Sequence, residues 1–216
     1  MLFRSGTFKS FASTLATVAA VAVAAGVAAK KAFDWSREGA AVIQTEKGFA
    51  SMLATIGEGP EILNKWRDAV DGTISDLDIM SGYLTTTAGL SENVTRSFTD
   101  NNVALLQIAK AAATLNPQLG DTAYMYQSIT LGLKRLQPKI IDNLGLQVKV
   151  SEANEKLAKT LGKSADQLTA EEQQMALLNA TLEAGDRLIT QLGGSVESAT
   201  DPWDRFTTAI KNNTDE

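Results

Sequence analysis

The side chains that most often carry chemistry are scarce in this chain. It has no histidine and no cysteine, which removes Cys/His zinc sites, disulfides, a Ser-His-Asp triad and a thiolate nucleophile. The acid pairs are Asp76 with Asp78 and Glu171 with Glu172. General acid–base work needs two carboxyls aimed at one point, whereas near neighbours on a helix point in different directions. Both pairs stand where a helix should begin, and negative charge there suits the helix dipole. Lys134, Arg135 and Lys139 make a small basic cluster that could touch a phosphate, although a solvated face has the same pattern. Asp201-Pro202-Trp203-Asp204-Arg205 resembles a site but reads better as a helix start, with Trp203 buried or at an interface. Asn93-Val94-Thr95 and Asn179-Ala180-Thr181 fit the glycosylation pattern, Asn179 from within a helix. GxxxxGK[ST], GxGxxG after a strand, GxSxG and HExxH are all missing from the sequence. No catalytic, cofactor-binding or metal residue is assigned, and a protein that is not an enzyme is expected.

The elements around these residues are helical. The 216 residues suffice for one domain with a sizeable core or two small ones. With 20 Lys+Arg against 25 Asp+Glu the formal net charge is −5, which argues against a broad basic surface for nucleic acid. Four prolines, 6% aromatic residues and much Ala and Leu favour an all-α fold. From Phe11 to Ala29 there is no charged residue, and Arg4, Lys9, Lys30 and Lys31 flank the run. It can be a spanning helix of minimal length, a secretory signal peptide, or the start of a long soluble helix. Ala12, Ala16, Ala20, Ala24 and Ala28 give it one smooth face, useful in a membrane and in a bundle alike.

The helical pattern continues through Phe33, Val42 or Ile43, Phe49, Met52, Leu53 and Ile56. Gly57-Glu58-Gly59-Pro60 breaks it, and Pro60 suits the first turn of a helix carrying Ile62, Leu63, Trp66 and Val70 and ended by Gly72. Ser75 is an expected N-cap for a short helix with Leu77, Met80 and Leu84, followed by a polar turn at Thr85, Thr86 and Thr87. Ser91 is expected to cap the next piece. Val103, Leu106, Ala109 and Ala113 mark an amphipathic run over 102–115, stopped by Asn116-Pro117. Asp121 or Thr122 opens a helix through Tyr124, Ile129, Leu131 and Leu133, and Pro138 opens a short one that Gly145 closes. Leu146 to Val150 alternates like a strand but has no partner, so it reads as an extended connector.

Ser151 is expected to cap a helix that Gly162 ends. Ser164 with Gln167, and Thr169 with Glu172, have capping-box spacing. Leu161, Leu168, Met175, Leu182, Ile189 and Val196 fall seven apart, as do Leu178, Gly185 and Leu192. That approximates a seam with a small residue at Gly185, read as a helical hairpin burying one face. Gly193-Gly194 is a hinge before a last helix with Trp203, Phe206 and Ile210.

One stretch goes beyond periodicity. Between Leu131 and Leu192, the residues Pro138, Ile141, Asp142-Asn143-Leu144-Gly145, Ala153-Asn154, Leu161-Gly162-Lys163-Ser164, Leu168-Thr169 and Leu177-Leu178-Asn179 stand as in a recurrent segment of phage tail tape measure proteins. Upstream, the Ala-rich run, Glu38-Gly39-Ala40, Phe49, Trp66-Arg67 and Ser75-Asp76-Leu77-Asp78 are similar to the same family. The chain resembles an N-terminal or internal piece of such a protein, whose members are generally much longer. The resemblance implies a structural role: setting tail tube length, occupying the lumen, and leaving it at infection in aid of genome delivery. Implied partners are the tail tube and tail tip proteins, tail assembly chaperones, further copies in the tube, and a host membrane reached through Phe11–Ala29. It implies no cofactor and no sequence-specific nucleic acid binding. The implied location is the virion tail, with host cytoplasm during assembly. An all-α fold is expected: a long Ala-rich N-terminal helix over 1–56, a bundle of short-to-medium helices over 60–192, and a C-terminal helix over 193–216. A membrane-anchored helical adaptor of a bacterial envelope is the alternative.

Overall fold

The computed structural model describes residues 39–194. The chain divides into two compact units, Met1–Ile43 and Gln44–Glu216. Of the first, the described residues 39–43 are helical. The Ala-rich run, the Phe11–Ala29 span and the C-terminal helix lie outside the described residues. No helix among those described is long and apolar enough to cross a membrane.

The fold is all-helical, and the described residues contain no strand. Helix α1 runs through residue 55. It is followed by α2 (Ile62–Asp68), α3 (Asp76–Thr87), α4 (Glu92–Leu115), α5 (Thr122–Lys134), α6 (Pro138–Asp142), α7 (Val150–Thr160), a 3₁₀ turn (Ala165–Gln167) and α8 (Ala170–Gln191). Local chemistry accounts for many of the boundaries. Pro60 starts a turn of three-residue closures leading into α2, with Leu63 N–H donating to its carbonyl at 3.1 Å. Ser75 and Asp121 accept from Asp78 N–H and Tyr124 N–H as N-caps. Both capping boxes form, Ser164 with Gln167 and Thr169 with Glu172. The stretch 146–149 is an irregular connector without strand structure, and Asp142 Oδ1 pins it by accepting from Val148 N–H at 2.9 Å.

Several expectations are corrected. Ser151 does not cap α7; the helix already begins at Val150, with Lys149 at the N-cap position. Thr85, Thr86 and Thr87 are not a polar turn but the last turn of α3, with Thr86 and Thr87 buried. Their hydroxyls donate to the carbonyls of Ser81, Gly82 and Tyr83, so the helix itself satisfies them. The amphipathic run over 102–115 is the second half of a single helix of 24 residues, about 36 Å long.

That helix, α4, is the axis of the fold. Helices α5 and α8 pack along it, α3 packs on α5, and α7 packs on α8. From Leu105 to Ala112 nearly every position of α4 is buried, because neighbours cover it on several sides. The core also draws on residues upstream of the expected bundle boundary at 60. Phe49, Leu53 and Ile56 are buried in it, and Phe49, Trp66 and Tyr83 form an aromatic cluster with ring centroids 5.0–5.6 Å apart.

The expected seam on α8 is rotated. Its buried residues are Gln174, Ala176, Leu177, Leu178, Thr181, Ala184, Gly185 and Leu188, while Met175, Leu182 and Ile189 are half-buried flanks. The small residue at 185 is explained by Ile108 of α4. A Cβ on Gly185 would stand 2.1 Å from Ile108 Cδ1 and 2.2 Å from Cγ1. Gly185→Ala should therefore cost about 1–3 kcal/mol of stability through overpacking. Ile108→Ala alone should cost about 2–5 kcal/mol through its cavity. The double variant should fall well short of the sum, since the new methyl occupies space vacated by isoleucine. Denaturant unfolding of the four proteins measures this coupling, and strict additivity would contradict the contact.

Candidate functional site

The charged residues singled out in the sequence are spent on helix ends. Asp76 accepts from Arg67 in a two-pronged pair, Nε to Oδ1 at 2.7 Å and a terminal guanidinium nitrogen to Oδ2 at 2.5 Å. That hydrogen bond holds the Arg67 proton even more firmly than usual. Asp78 accepts from the Ser75 hydroxyl at 2.5 Å and from Gln127 Nε2 at 3.2 Å. The two aspartates thus face different partners and do not converge.

Glu171 and Glu172 separate in the same way. Glu172 closes its own capping box through Thr169 N–H and also accepts from Lys163 Nζ at 2.6 Å. Glu171 reaches across to α4, accepting from Ser91 N–H at 2.8 Å and from the Ser91 hydroxyl at 2.6 Å. Ser91 does occupy the N-cap position of α4, but its side chain makes no capping bond there. A carboxylate from another helix supplies the negative charge instead. Both glutamates lie below their ordinary value of 4.5, Glu171 through the hydroxyl and N–H of Ser91, Glu172 chiefly through Lys163 and Thr169 N–H.

The basic cluster does not assemble. Lys134 Nζ donates to the carbonyl of Ala88, the residue that ends α3. Arg135 and Lys139 are exposed. Asn93 and Asn179 are exposed residues within α4 and α8. Among the described residues, no group of three or more Asp or Glu could hold a metal ion. The 201–205 run lies outside them.

The structure adds two polar features that the sequence reading missed. Lys110, inside α4, is 2% exposed, and its Nζ meets Asp71 Oδ2 at 2.8 Å. Asp71 stands at φ 51° in the turn after α2, a left-handed conformation that aspartate tolerates better than most residues. A lysine amid Ala109, Ala111 and Ala112 gives no linear sign of its partner thirty-nine residues away. Second, two buried tyrosines anchor to α4: Tyr83 to the Thr99 hydroxyl at 2.8 Å, and Tyr126 donating to Asn102 Oδ1 at 2.7 Å. Burial pushes both phenols up from their ordinary range.

The residues of the family-like stretch occupy positions that make turns, caps and core. Ile141, Leu144, Leu168, Leu177 and Leu178 are buried. Gly145 and Gly162 stand at φ 88° and 67°. Asn116, at the C-cap of α4, donates to the Leu144 carbonyl at 3.4 Å. A concavity of about 1190 Å³ lies along the same stretch. It is a groove between α7 and α8, lined by Ala153, Leu157 and Leu188 and by charges of both signs, Lys149, Lys156 and Arg187 with Glu152, Glu183 and Asp186. Comparison with protein-family models, curated proteins and solved structures returns no match.

Two measurements check this assignment of charge. Glu171 is more acidic folded than unfolded, so its contribution is fully present above pH 4.5 and disappears as pH falls through its folded value. Glu171→Gln should lower the thermal midpoint at pH 7, and the gap from the parent protein should close below the carboxylate range. For the buried ion pair, Asp71→Asn keeps the tolerated backbone conformation but weakens the partner of an enclosed ammonium. Lys110→Met removes the enclosed charge and keeps most of the volume. Urea unfolding should find Asp71→Asn less stable than Lys110→Met by about 2 kcal/mol.

Proposed function

We propose that this chain is a piece of a phage tail tape measure protein and works as a folded helical body within that longer ruler. It acts by shape and span, with no reacting group of its own. The observation carrying this reading is the stretch from Leu131 to Leu192, which resembles the family at the residues that determine its local structure. Gly145 and Gly162 turn the chain, Ser164 and Thr169 cap, and Ile141, Leu144, Leu168 and Leu177 fill the core. A resemblance on such positions is one of fold, and a role by shape is the function that fits it.

The physical role follows from the helices. An extended helix converts residues to length at about 1.5 Å each. The described part does not run as one rod, since its helices are of 5 to 24 residues and fold back on each other. In the proposed ruler it is a compact station along the tube axis. Tail tube and tip proteins, assembly chaperones and further copies of the chain are its proposed partners, and the virion tail its proposed location. The Ala-rich run at Phe11–Ala29 is assigned to contact with the host membrane during genome delivery.

Purified tails test the proposal. Mass spectrometry should find this chain in particles at a fixed ratio to tube subunits, and in-frame deletion of 44–194 from the full reading frame should give tails of altered length or none. Unchanged tails after the deletion would sink the reading. So would residence of the chain in the host envelope without any particle, the behaviour of an anchored adaptor.

A further inference from the structure

Helix α7 is held to the body more loosely than the other long helices. Of its 11 residues only Ala158 is buried, whereas α5 buries seven of 13. It packs chiefly on α8 and the 3₁₀ turn. Ala158, Leu168 and Ala176 are buried but stand outside the continuous core around α4. Of the apolar residues of α7, only Val150 in the first turn packs against that core. Protein interiors are normally packed without voids, yet a hollow of about 1190 Å³ remains between α7 and α8. The polar links across it are weak. Lys156 pairs with Glu183, but their side chains are 73% and 55% exposed, so solvent screens the pair. Arg187 reaches the Gln147 carbonyl only at 3.5 Å. Asn154 Oδ1 is enclosed and no protein donor reaches it. Such an acceptor favours a state in which water can meet it.

We propose that α7 is a leaf that opens from α8 as one unit while the helices around α4 stay closed. Firm anchors bracket it. Leu146 is buried in the core before it, and the capping box of Thr169 and Glu172 fixes the start of α8 after it. Between anchor and helix lie pliant joints. On one side is the irregular stretch 147–149, whose Lys149 makes no side-chain capping bond. On the other is Gly162 at φ 67°, a residue with wide backbone freedom. Opening on these joints uncovers Ala176, Ala180 and Leu188, the apolar residues of α8 that line the hollow. Closing hides them again. The fold thus has a built-in second state in which an apolar strip of α8 is presented and the core is intact. This inference stands whether or not the chain belongs to a tail ruler.

Native-state hydrogen exchange of the full chain in low urea, read residue by residue, tests the leaf. The amides from Asn154 to Thr160 should exchange through one shared opening, about 100-fold or more faster than the slowest amides of α4. Their urea dependence should be measurable but smaller than that of global unfolding, because less surface is exposed. Equal protection and equal urea dependence in α7 and α4 would overturn the proposal. So would exchange of the α7 amides one by one with no urea dependence, the behaviour of a fraying helix. A mild core variant separates the two openings. Ile108→Val trims the contact between α4 and Gly185 and should speed the slowest α4 amides about two- to tenfold. That contact survives when the leaf opens, so exchange in α7 should not change. A matching acceleration in α7 would mean that it opens only with the whole fold, and the leaf would be refuted.

Discussion

Close approach of helices around α4 is the constraint on which the rest of this structure depends. A helix buried on several sides can be packed only if its neighbours come near without leaving voids. Three helix-interior glycines each receive a large side chain from an adjacent element. Gly82 of α3 faces the ring of Tyr126, Gly132 of α5 faces Ile141 of α6, and Gly185 of α8 faces Ile108 of α4. A Cβ at these positions would lie 2.1–2.7 Å from the guest atom. Each glycine costs its helix about 1 kcal/mol relative to alanine. The interdigitation it permits lets Tyr126 be wholly buried while still donating to Asn102. The alanines of α4 serve the same end from the other side, since Ala109, Ala111 and Ala112 are fully enclosed.

The polar groups follow from this enclosure. Thr87, Thr99 and Thr181 are buried and donate to the carbonyl four residues back. Such a threonine presents a methyl to its neighbours and has its hydroxyl satisfied by its own helix, so it packs almost as an apolar residue. Lys110 is the extreme case, its stem among alanines and its ammonium carried to Asp71 at the periphery. The apolar core thus admits threonine and lysine where their polar ends can close a hydrogen bond or an ion pair.

That distinction decides what the sequence could reveal. Breaks and caps are written within a few residues: Gly57 to Pro60, Asn116-Pro117, Pro138, Ser75, Asp121 and the two capping boxes were all legible. Faces were harder. The sequence pattern puts Tyr124 with Ile129 and Leu133 along α5, yet Tyr124 is 51% exposed and the buried tyrosine is Tyr126. Of the regular sevens on α8, Leu178 and Gly185 are buried as expected, but Met175, Leu182 and Ile189 are only half-buried, and Gln174 and Thr181 belong to the seam in their stead. Counting apolar residues misplaces a face when threonine, glutamine and glycine carry the packing. Ser91 and Lys110 were illegible for another reason, because Glu171 and Asp71 reach them from eighty and thirty-nine residues away.

The distribution of charge bears on how such a body would assemble. The marked carboxylates are committed at helix ends, Asp76 to Arg67, Glu171 to Ser91 and Glu172 to Lys163. These bonds fix orientation between helices, and their exposed charges are screened by salt, so they specify geometry more than they attract partners. The α7–α8 side is different. There the ion pairs Lys149–Glu152 and Lys156–Glu183 stand along a hollow of mixed polar and apolar lining. In a fold whose core is closed by threading large side chains into glycine sites, this is a face where the described helices leave a hollow between them. Association with other elements should therefore run by the same rule as the interior: small residues on one side, large on the other, and charge at the edges.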